Sequence, residues 1–544
     1  MTRVDRVPQV ASAEGAQSVG LTQAAVSWLA LAVPLAAALA LGLFSLLRTP
    51  APFIDEVWFA NRTWGFVQTG LNFGTLDEGV WDHFDGYWTY FPWLPTYFVS
   101  LAFKWFGLSL FSLRVTSLAF GLLLLVALYA IAARLGGRRL AVLTVVLVSL
   151  SRAFVYSSHL GRPDIMGAAF GFGAIALYVC ERSARWPVMT ALAGFAVGLA
   201  LDTHPFGSIY GPMIALLLLI DYGWRALLTR RLWAFALGGA AGLAFFAALH
   251  VLPYPQTYLA ISSLAALAAG AVRTPPLITP DPAVWRQSAI DMAVQLGSYW
   301  NLRIPFILVG AVLLWRSRER SDRRLLAICA VVLATYFGLI RNKNPWYGIM
   351  AAPTGDLLVA VVLERVSRLR LSDLAARFPF FNWKALSPAW RTLRWAAIAA
   401  LVAVMAVPTL VRTTGDPLGD YELTLQRIRQ AVRPGVSVVG PATYWFGLTG
   451  ERYVSWEQLI YYRRYAPGST VTDGMRALRA DYFITDPYIE KFFRDDPRPS
   501  VNSQQLLLPK HEVESFLAER AHLVAVIETP TYGAVNVYEV EWSR

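Results

Sequence analysis

Phe53-Ile54-Asp55-Glu56-Val57-Trp58-Phe59-Ala60 places two adjacent carboxylates just beyond an apolar run, residues 24–47, that is long enough to cross a bilayer. A carboxylate at a lipid boundary is costly to desolvate. It either ends a helix in water or stands in a watered cavity with a function. The pair alone does not decide between these. The decision comes from where the other polar clusters fall relative to the apolar runs.

Of 544 residues, 56% are hydrophobic and only 15% charged, against about 25% charged in soluble proteins. Further apolar runs lie near 112–133, 139–157, 164–180, 187–202, 205–220, 233–252, 300–315, 324–340, 345–363 and 394–411. With the first they make about eleven spans (roughly 10–13) by length. The expected fold class is a polytopic α-helical membrane protein. Net charge is +12, but the arginines cluster between runs, where they set topology, so nucleic acid is not the expected partner. Cys180 and Cys329 sit inside runs and read as small buried hydrophobes, not as a disulfide or metal pair. Residues 1–23 read as a polar cytoplasmic tail, and 24–47 as a retained first helix.

Residues 48–111 are rich in aromatics and proline, and the apolar stretch 94–106 is short; it reads as interfacial. With the N-terminus inside and 94–106 not crossing, five basic connections fall inside. They carry Arg134/Arg138/Arg139, Arg182/Arg185, Arg225/Arg230/Arg231, Arg316/Arg318/Arg320/Arg323/Arg324 and Arg365/Arg368/Arg370, as the positive-inside rule asks. The same parity gathers three polar stretches on the outer face: Asp55-Glu56, Gly161-Arg162-Pro163-Asp164, and Arg341-Asn342-Lys343-Asn344-Pro345-Trp346-Tyr347. It also places the proline-rich loop 253–299 outside. After 412 the pattern changes. Helical periodicity at 422–432 and 475–479 alternates with strand patterns at 436–440, 481–485, 524–528 and 535–540. The expectation is an external α/β domain over 412–544.

These outer groups suit transfer of a sugar from a polyprenyl phosphate. The acceptor hydroxyl needs a base within hydrogen-bond reach, and a carboxylate supplies it. The departing phosphate needs fixed positive charge or donors. Asp55 fits the base, with Glu56 and Asp164 as the other candidate catalytic carboxylates. Arg62, Arg162, Arg341, Lys343 and Tyr347 are candidates to contact the donor phosphate. Each has a plainer reading: Arg341 and Lys343 as headgroup contacts, Arg162 and Asp164 as a helix-start pair, Tyr347 as a belt aromatic. Asp82, His83 and Asp85 are donors close in sequence, so a divalent metal stays open, although a solvated loop fits them better. His204 and His250 read as satisfied polar residues.

The Asp-Glu pair after the first helix resembles the first external loop of the GT-C glycosyltransferases, within the protein O-mannosyltransferase and lipid A aminoarabinose transferase (ArnT-like) group. So do Phe106-Gly107-Leu108-Ser109-Leu110-Phe111-Ser112-Leu113-Arg114, Leu135-Gly136-Gly137-Arg138, the Arg162-x-Asp164 pair, and Asn344-Pro345-Trp346-Tyr347 with Pro353 downstream. The resemblance covers most of 25–365, and the C-terminal domain resembles the outer domain of bacterial members. It implies a polyprenyl-phosphate-sugar donor, with Asp55 at the family's catalytic carboxylate and Lys343 and Tyr347 in its phosphate-contacting region. The chain departs at Trp58, where many members carry Arg, and at Phe91-Pro92-Trp93-Leu94-Pro95, where Lys-Pro-Pro is usual. The implied protein is an inverting transferase of the inner (plasma) membrane. Its acceptor is a hydroxyl on a protein, lipid or envelope glycan, and its site faces the periplasmic side. Alternatives are an oligosaccharide transferase of the same fold and a non-enzymatic transporter of lipid-linked sugar.

Overall fold

The computed structural model of the chain describes residues 21–72, 74–77, 93–183, 185–253, 255–256, 258, 286, 302–340, 345–372, 389–415, 417–495 and 507–542. Asp82, His83, Asp85, Arg341, Lys343 and most of the 253–299 loop lie outside the described residues.

Helix α1 (Leu21–Ser45) precedes the acidic pair, which lies in the first turn of α2 (Ile54–Thr69). The Phe53 backbone N–H donates to Glu56 Oε2 at 3.1 Å, so Glu56 closes the first turn of its own helix. Gly70, at φ 78°, ends α2 in the left-handed conformation that suits glycine. Helix α3 (Trp93–Phe106) has 14 residues. That is about 21 Å of helix, too short to cross a hydrocarbon layer of about 30 Å. Helix α4 (Leu110–Gly136) is the longest, at 27 residues, and is capped by Ser109, whose Oγ accepts from the Ser112 N–H at 3.2 Å.

The run 139–157, counted above as one span, is two helices, α5 (Arg138–Ser149) and α6 (Arg152–Ser158), bent by 63°. The cause is local. Ser151 Oγ accepts from the Phe154 N–H at 3.2 Å and starts a new helix where the old one would have continued. Then come α7 (Asp164–Cys180), α8 (Val188–Thr203), α9 (Tyr210–Tyr222) and α10 (Arg230–Phe246). Helices α8 and α10 meet backbone to backbone. A Cβ on Gly194 would lie 2.0 Å from the Phe235 carbonyl oxygen, and one on Gly198 2.7 Å from Gly242 Cα. Small residues permit that approach where lipid offers no hydrophobic drive for association. Helices α11 (Arg303–Arg316), α12 (Arg320–Leu339), α13 (Ala352–Arg368) and α14 (Trp390–Thr413) complete the bundle.

Among the described residues four helical segments are long and apolar enough to cross a membrane: Leu110–Gly136, Pro205–Leu228, Arg230–Val251 and Trp390–Thr413. The bent α5–α6 pair adds a fifth if it is one span. Fewer helices meet this test than there are apolar runs in the sequence, because some runs break into bends and 3₁₀ turns. The run at 345–363, for example, opens as a 3₁₀ turn, Pro345–Met350, before α13 starts.

The C-terminal part begins with α15 (Pro417–Ala431), followed by β1 (Ser437–Gly440), β2 (Arg452–Ser455), α16 (Glu457–Tyr465), α17 (Val471–Ala477), β3 (Tyr482–Thr485), α18 (Pro487–Glu490), α19 (Lys510–Arg520), β4 (Ala521–Thr529) and β5 (Gly533–Val540). Its sheet runs β2-β1-β3-β5-β4. The first three strands are parallel and the last two join antiparallel. Every residue of β1 and β3 is buried, the pattern of strands covered on both faces.

Two cores matter for the site. The larger joins α4, α5, α7, α9, α12 and α13. The second joins Ile54, Val57, Trp58 and Ala60 of α2 to Tyr421, Tyr444, Trp445 and Tyr453 of the C-terminal part. Gln458 Nε2 adds a hydrogen bond to the Leu76 carbonyl at 2.9 Å. The helix that carries the acidic pair therefore packs directly on the α/β part.

Candidate active site

Asp55 and Glu56 are consecutive on the first turn of α2, so their side chains leave the helix about 100° apart. They enter two different networks. Glu56 points inward and is fully buried, as is its partner Arg114. Arg114 Nε and Nη2 each donate to the carboxylate at 2.9 Å. The same guanidinium donates to the Leu46 carbonyl at 3.0 Å and the Pro50 carbonyl at 2.9 Å. Glu56 Oε1 also accepts from the Gly161 N–H at 2.7 Å. One buried ion pair thus ties the end of α1, the start of α2, α4 and the Gly161 corner. Such a pair is retained only when its hydrogen bonds are complete, as they are here.

The Gly161 corner places the next residue, Arg162, against Asp55. Arg162 Nη1 is paired with the Asp55 carboxylate, and Arg162 Nε donates to Asp164 Oδ2 at 2.8 Å. Two carboxylates share one guanidinium. Their exposure differs: the Asp55 side chain is 39% exposed and that of Asp164 is 1%. Asp55 is the one an incoming molecule can reach. Asp164 opens α7, where a negative charge meets the positive end of the helix dipole.

Two aromatic rings roof the guanidinium. Arg162 lies 5.1 Å from the Trp346 ring centroid and 5.7 Å from that of Tyr347. Both ends of the turn that carries them are tied down. Ser157 Oγ donates to the Trp346 carbonyl at 3.3 Å, and the Tyr210 hydroxyl donates to the Met350 carbonyl at 2.9 Å. His204 packs on Tyr347 at 5.0 Å between ring centroids. Its Nδ1 accepts from the Phe206 N–H at 3.1 Å, so the proton of the neutral ring sits on Nε2. Burial pushes this imidazole down to about 4, with Asp164 opposing and Arg162 reinforcing the shift. Nε2 faces Asp164 Oδ1 at 3.7 Å, beyond hydrogen-bond length.

A small cleft runs beside the pair. Phe59 and Thr63 of α2, Pro95, Thr96 and Val99 of α3, and Met166 of α7 line it, with Arg162 on its wall. Arg62 is buried and stacks 5.0 Å from the Trp58 ring, two turns along α2 from Asp55.

At the far end of α7 the character changes. The Tyr178 hydroxyl donates to Asp221 at 2.9 Å, and Asp221 also takes Arg320 and Arg324. Arg134 and Arg231 bond carbonyls of Val179 and Glu181 at the same end. Fourteen residues of helix, about 21 Å, separate Tyr178 from Asp164.

Of the residues singled out in the sequence, the structure brings Asp55, Arg162, Asp164 and Tyr347 together, and sets Glu56 behind them on Arg114. The pairing of Glu56 with Arg114 and Gly161, and the place of His204 beside Asp164, were not readable beforehand. No group of three or more metal-ligating side chains occurs among the described residues.

Residues 91–251 match the profile of the dolichyl-phosphate-mannose-protein mannosyltransferase family. No curated protein matches the chain by sequence. Among solved structures, apo ArnT from Cupriavidus metallidurans superposes with a TM-score of 0.59 at 16% identity, covering 94% of this chain and 98% of that one. ArnT bound to undecaprenyl phosphate gives 0.59 at 15% identity over the same shares. The oligosaccharyltransferase AglB from Archaeoglobus fulgidus, with an inhibitory peptide and a dolichol-phosphate, gives 0.52 at 14% identity, over 96% and 75%. At such identities the likeness is one of fold. The matched segment and the superposition agree: residues 91–251 are similar to that mannosyltransferase family, and the chain has the fold of ArnT and AglB.

Proposed function

We propose that the chain moves a sugar from a polyprenyl-phosphate donor to an acceptor hydroxyl, with Asp55 as the general base. The observation that carries this is the half-exposed Asp55 carboxylate gripped by Arg162, whose guanidinium is itself held by buried Asp164. The donor class is supported by the fold shared with proteins that bind undecaprenyl phosphate and dolichol-phosphate.

In this reading Asp55 takes the proton as the acceptor oxygen attacks the anomeric carbon. The bond from that carbon to the phosphate oxygen breaks, and polyprenyl phosphate leaves with the electron pair. One displacement inverts the anomeric centre. Phosphate is a good leaving group, so no second acid is required. Arg341 and Lys343, which the sequence sets just ahead of the Trp346-Tyr347 turn, would neutralise the departing phosphate. The small cleft between α2, α3 and α7 lies beside the Asp55–Arg162 pair, with Arg162 on its wall. Glu56 serves as the positioning carboxylate, since Arg114, Gly161 and Phe53 occupy it. The arginine-rich end at Asp221 is the cytoplasmic one under the positive-inside rule, which puts Asp55 on the periplasmic side.

The test is to incubate purified protein with a panel of polyprenyl-phosphate sugars and measure release of polyprenyl phosphate with an acceptor mixture present. Release from at least one sugar lipid supports the reading. Intact donor across hexose and pentose members contradicts it.

A further inference from the structure

Three polar atoms around Arg162 find no hydrogen-bond partner among the described residues: Asp164 Oδ1, the Tyr336 hydroxyl and Trp346 Nε1. Asp164 and Tyr336 are 1% and 2% exposed, so water outside the protein does not satisfy them. Buried polar groups are nearly always paired, and each one left alone is costly. These three also converge. Tyr336 lies one turn from the end of α12, within electrostatic reach of both Asp164 and Tyr347. Trp346 Nε1 lies within electrostatic reach of the Tyr347 hydroxyl. His204 Nε2 stops 3.7 Å short of the same Asp164 oxygen.

The chemistry of the gap is mixed. It offers one carboxylate acceptor, one hydroxyl of either sense, two N–H donors and the faces of Trp346 and Tyr347. A phosphate is an all-acceptor anion and would be repelled by the free Asp164 oxygen. Neutral hydroxyls on a ring with an apolar face both donate and accept, and they stack on aromatics. We propose that Tyr336, Asp164, His204 and Trp346 form the subsite for the transferred sugar ring, with Tyr336 as a specificity-determining residue. This rests on the donor reading above and assigns that donor's sugar to this pocket, leaving its phosphate to lie elsewhere.

The experiment measures binding of two lipids to the full-length protein: a polyprenyl-phosphate sugar that the wild type accepts, and the same polyprenyl phosphate without sugar. Tyr336→Phe removes one oxygen and no volume. It is expected to weaken the sugar lipid about tenfold, the worth of one hydrogen bond in a closed site, and to leave the bare lipid unchanged. Its melting temperature is expected to be no lower than that of the wild type, because the hydroxyl has no partner to lose among the described residues. Trp346→Phe, which removes the N–H, is expected to act in the same direction on the sugar lipid. Unchanged binding of the sugar lipid by Tyr336→Phe, an equal loss on both lipids, or a lowered melting temperature would each overturn the subsite. A wild type that binds neither lipid would overturn the donor reading and the subsite with it; one that binds both equally would overturn the subsite alone.

Discussion

Glu56 and Arg114 are both fully buried, so deleting either strands the charge of the other. Arg114→Ala is expected to cost about 3–5 kcal/mol, read as a lower melting temperature in detergent or nanodiscs. Arg114→Lys keeps the charge but loses the planar fork, and is expected to lose transfer while recovering only part of the stability. The same reasoning separates the two acids. Glu56→Gln should lower stability and activity together, because it disturbs the hub that aligns Asp55 with Arg162. The acidic pair itself was legible in the sequence, since two carboxylates beside an apolar run are conspicuous. Which of them faces water was not. That depends on contacts made 58 residues away at Arg114 and 105 residues away at Gly161. Tyr336 was hidden for a related reason: one tyrosine inside an apolar run has no local signal, and only its unpartnered hydroxyl in the fold sets it apart.

Helix packing decides which small residues matter. Gly198 of α8 approaches Gly242 so closely that an added Cβ would sit 2.7 Å from backbone, whereas a Cβ on Gly173 of α7 meets nothing within 4 Å. Gly198→Ala is therefore expected to destabilise by about 1–3 kcal/mol through overpacking. Gly173→Ala is expected to be neutral or stabilising by about 0.5–1 kcal/mol through helix propensity. Thermal denaturation of the two variants side by side checks the contrast; equal effects would mean that α8 and α10 are not in backbone contact. Apolar runs located most helices, because length and hydropathy are local properties. The bend between α5 and α6 escaped, since one serine is a weak signal in an apolar run: Ser151 redirects the chain by capping. In the C-terminal part, alternating or apolar runs marked β1, β3, β4 and β5. Strand β2, Arg452–Ser455, is four residues long and begins with a charge; its pairing with β1 gives it strand character that its composition lacks.

The molecule joins a helical bundle to an α/β part through one shared core on α2. Trp445 is 3% exposed within that core, beside Ile54, Val57 and Trp58 of α2. Trp445→Ala is expected to cost about 3–5 kcal/mol and to reduce transfer by loosening the helix that carries Asp55. Polarity sorts along the bundle as well, with the acidic and aromatic cluster at the Asp164 end of α7 and the arginines at the Tyr178 end. The central claim is that Asp55 accepts the proton of the attacking hydroxyl. It is tested most directly by single-turnover transfer from a preloaded polyprenyl-phosphate sugar, comparing the wild type with an Asp55→Asn variant of matched expression and melting temperature. The expected result is at least a hundredfold slower release of polyprenyl phosphate by the variant, with donor binding retained, about the worth of a positioned base. Release at a rate near that of the wild type would contradict the account.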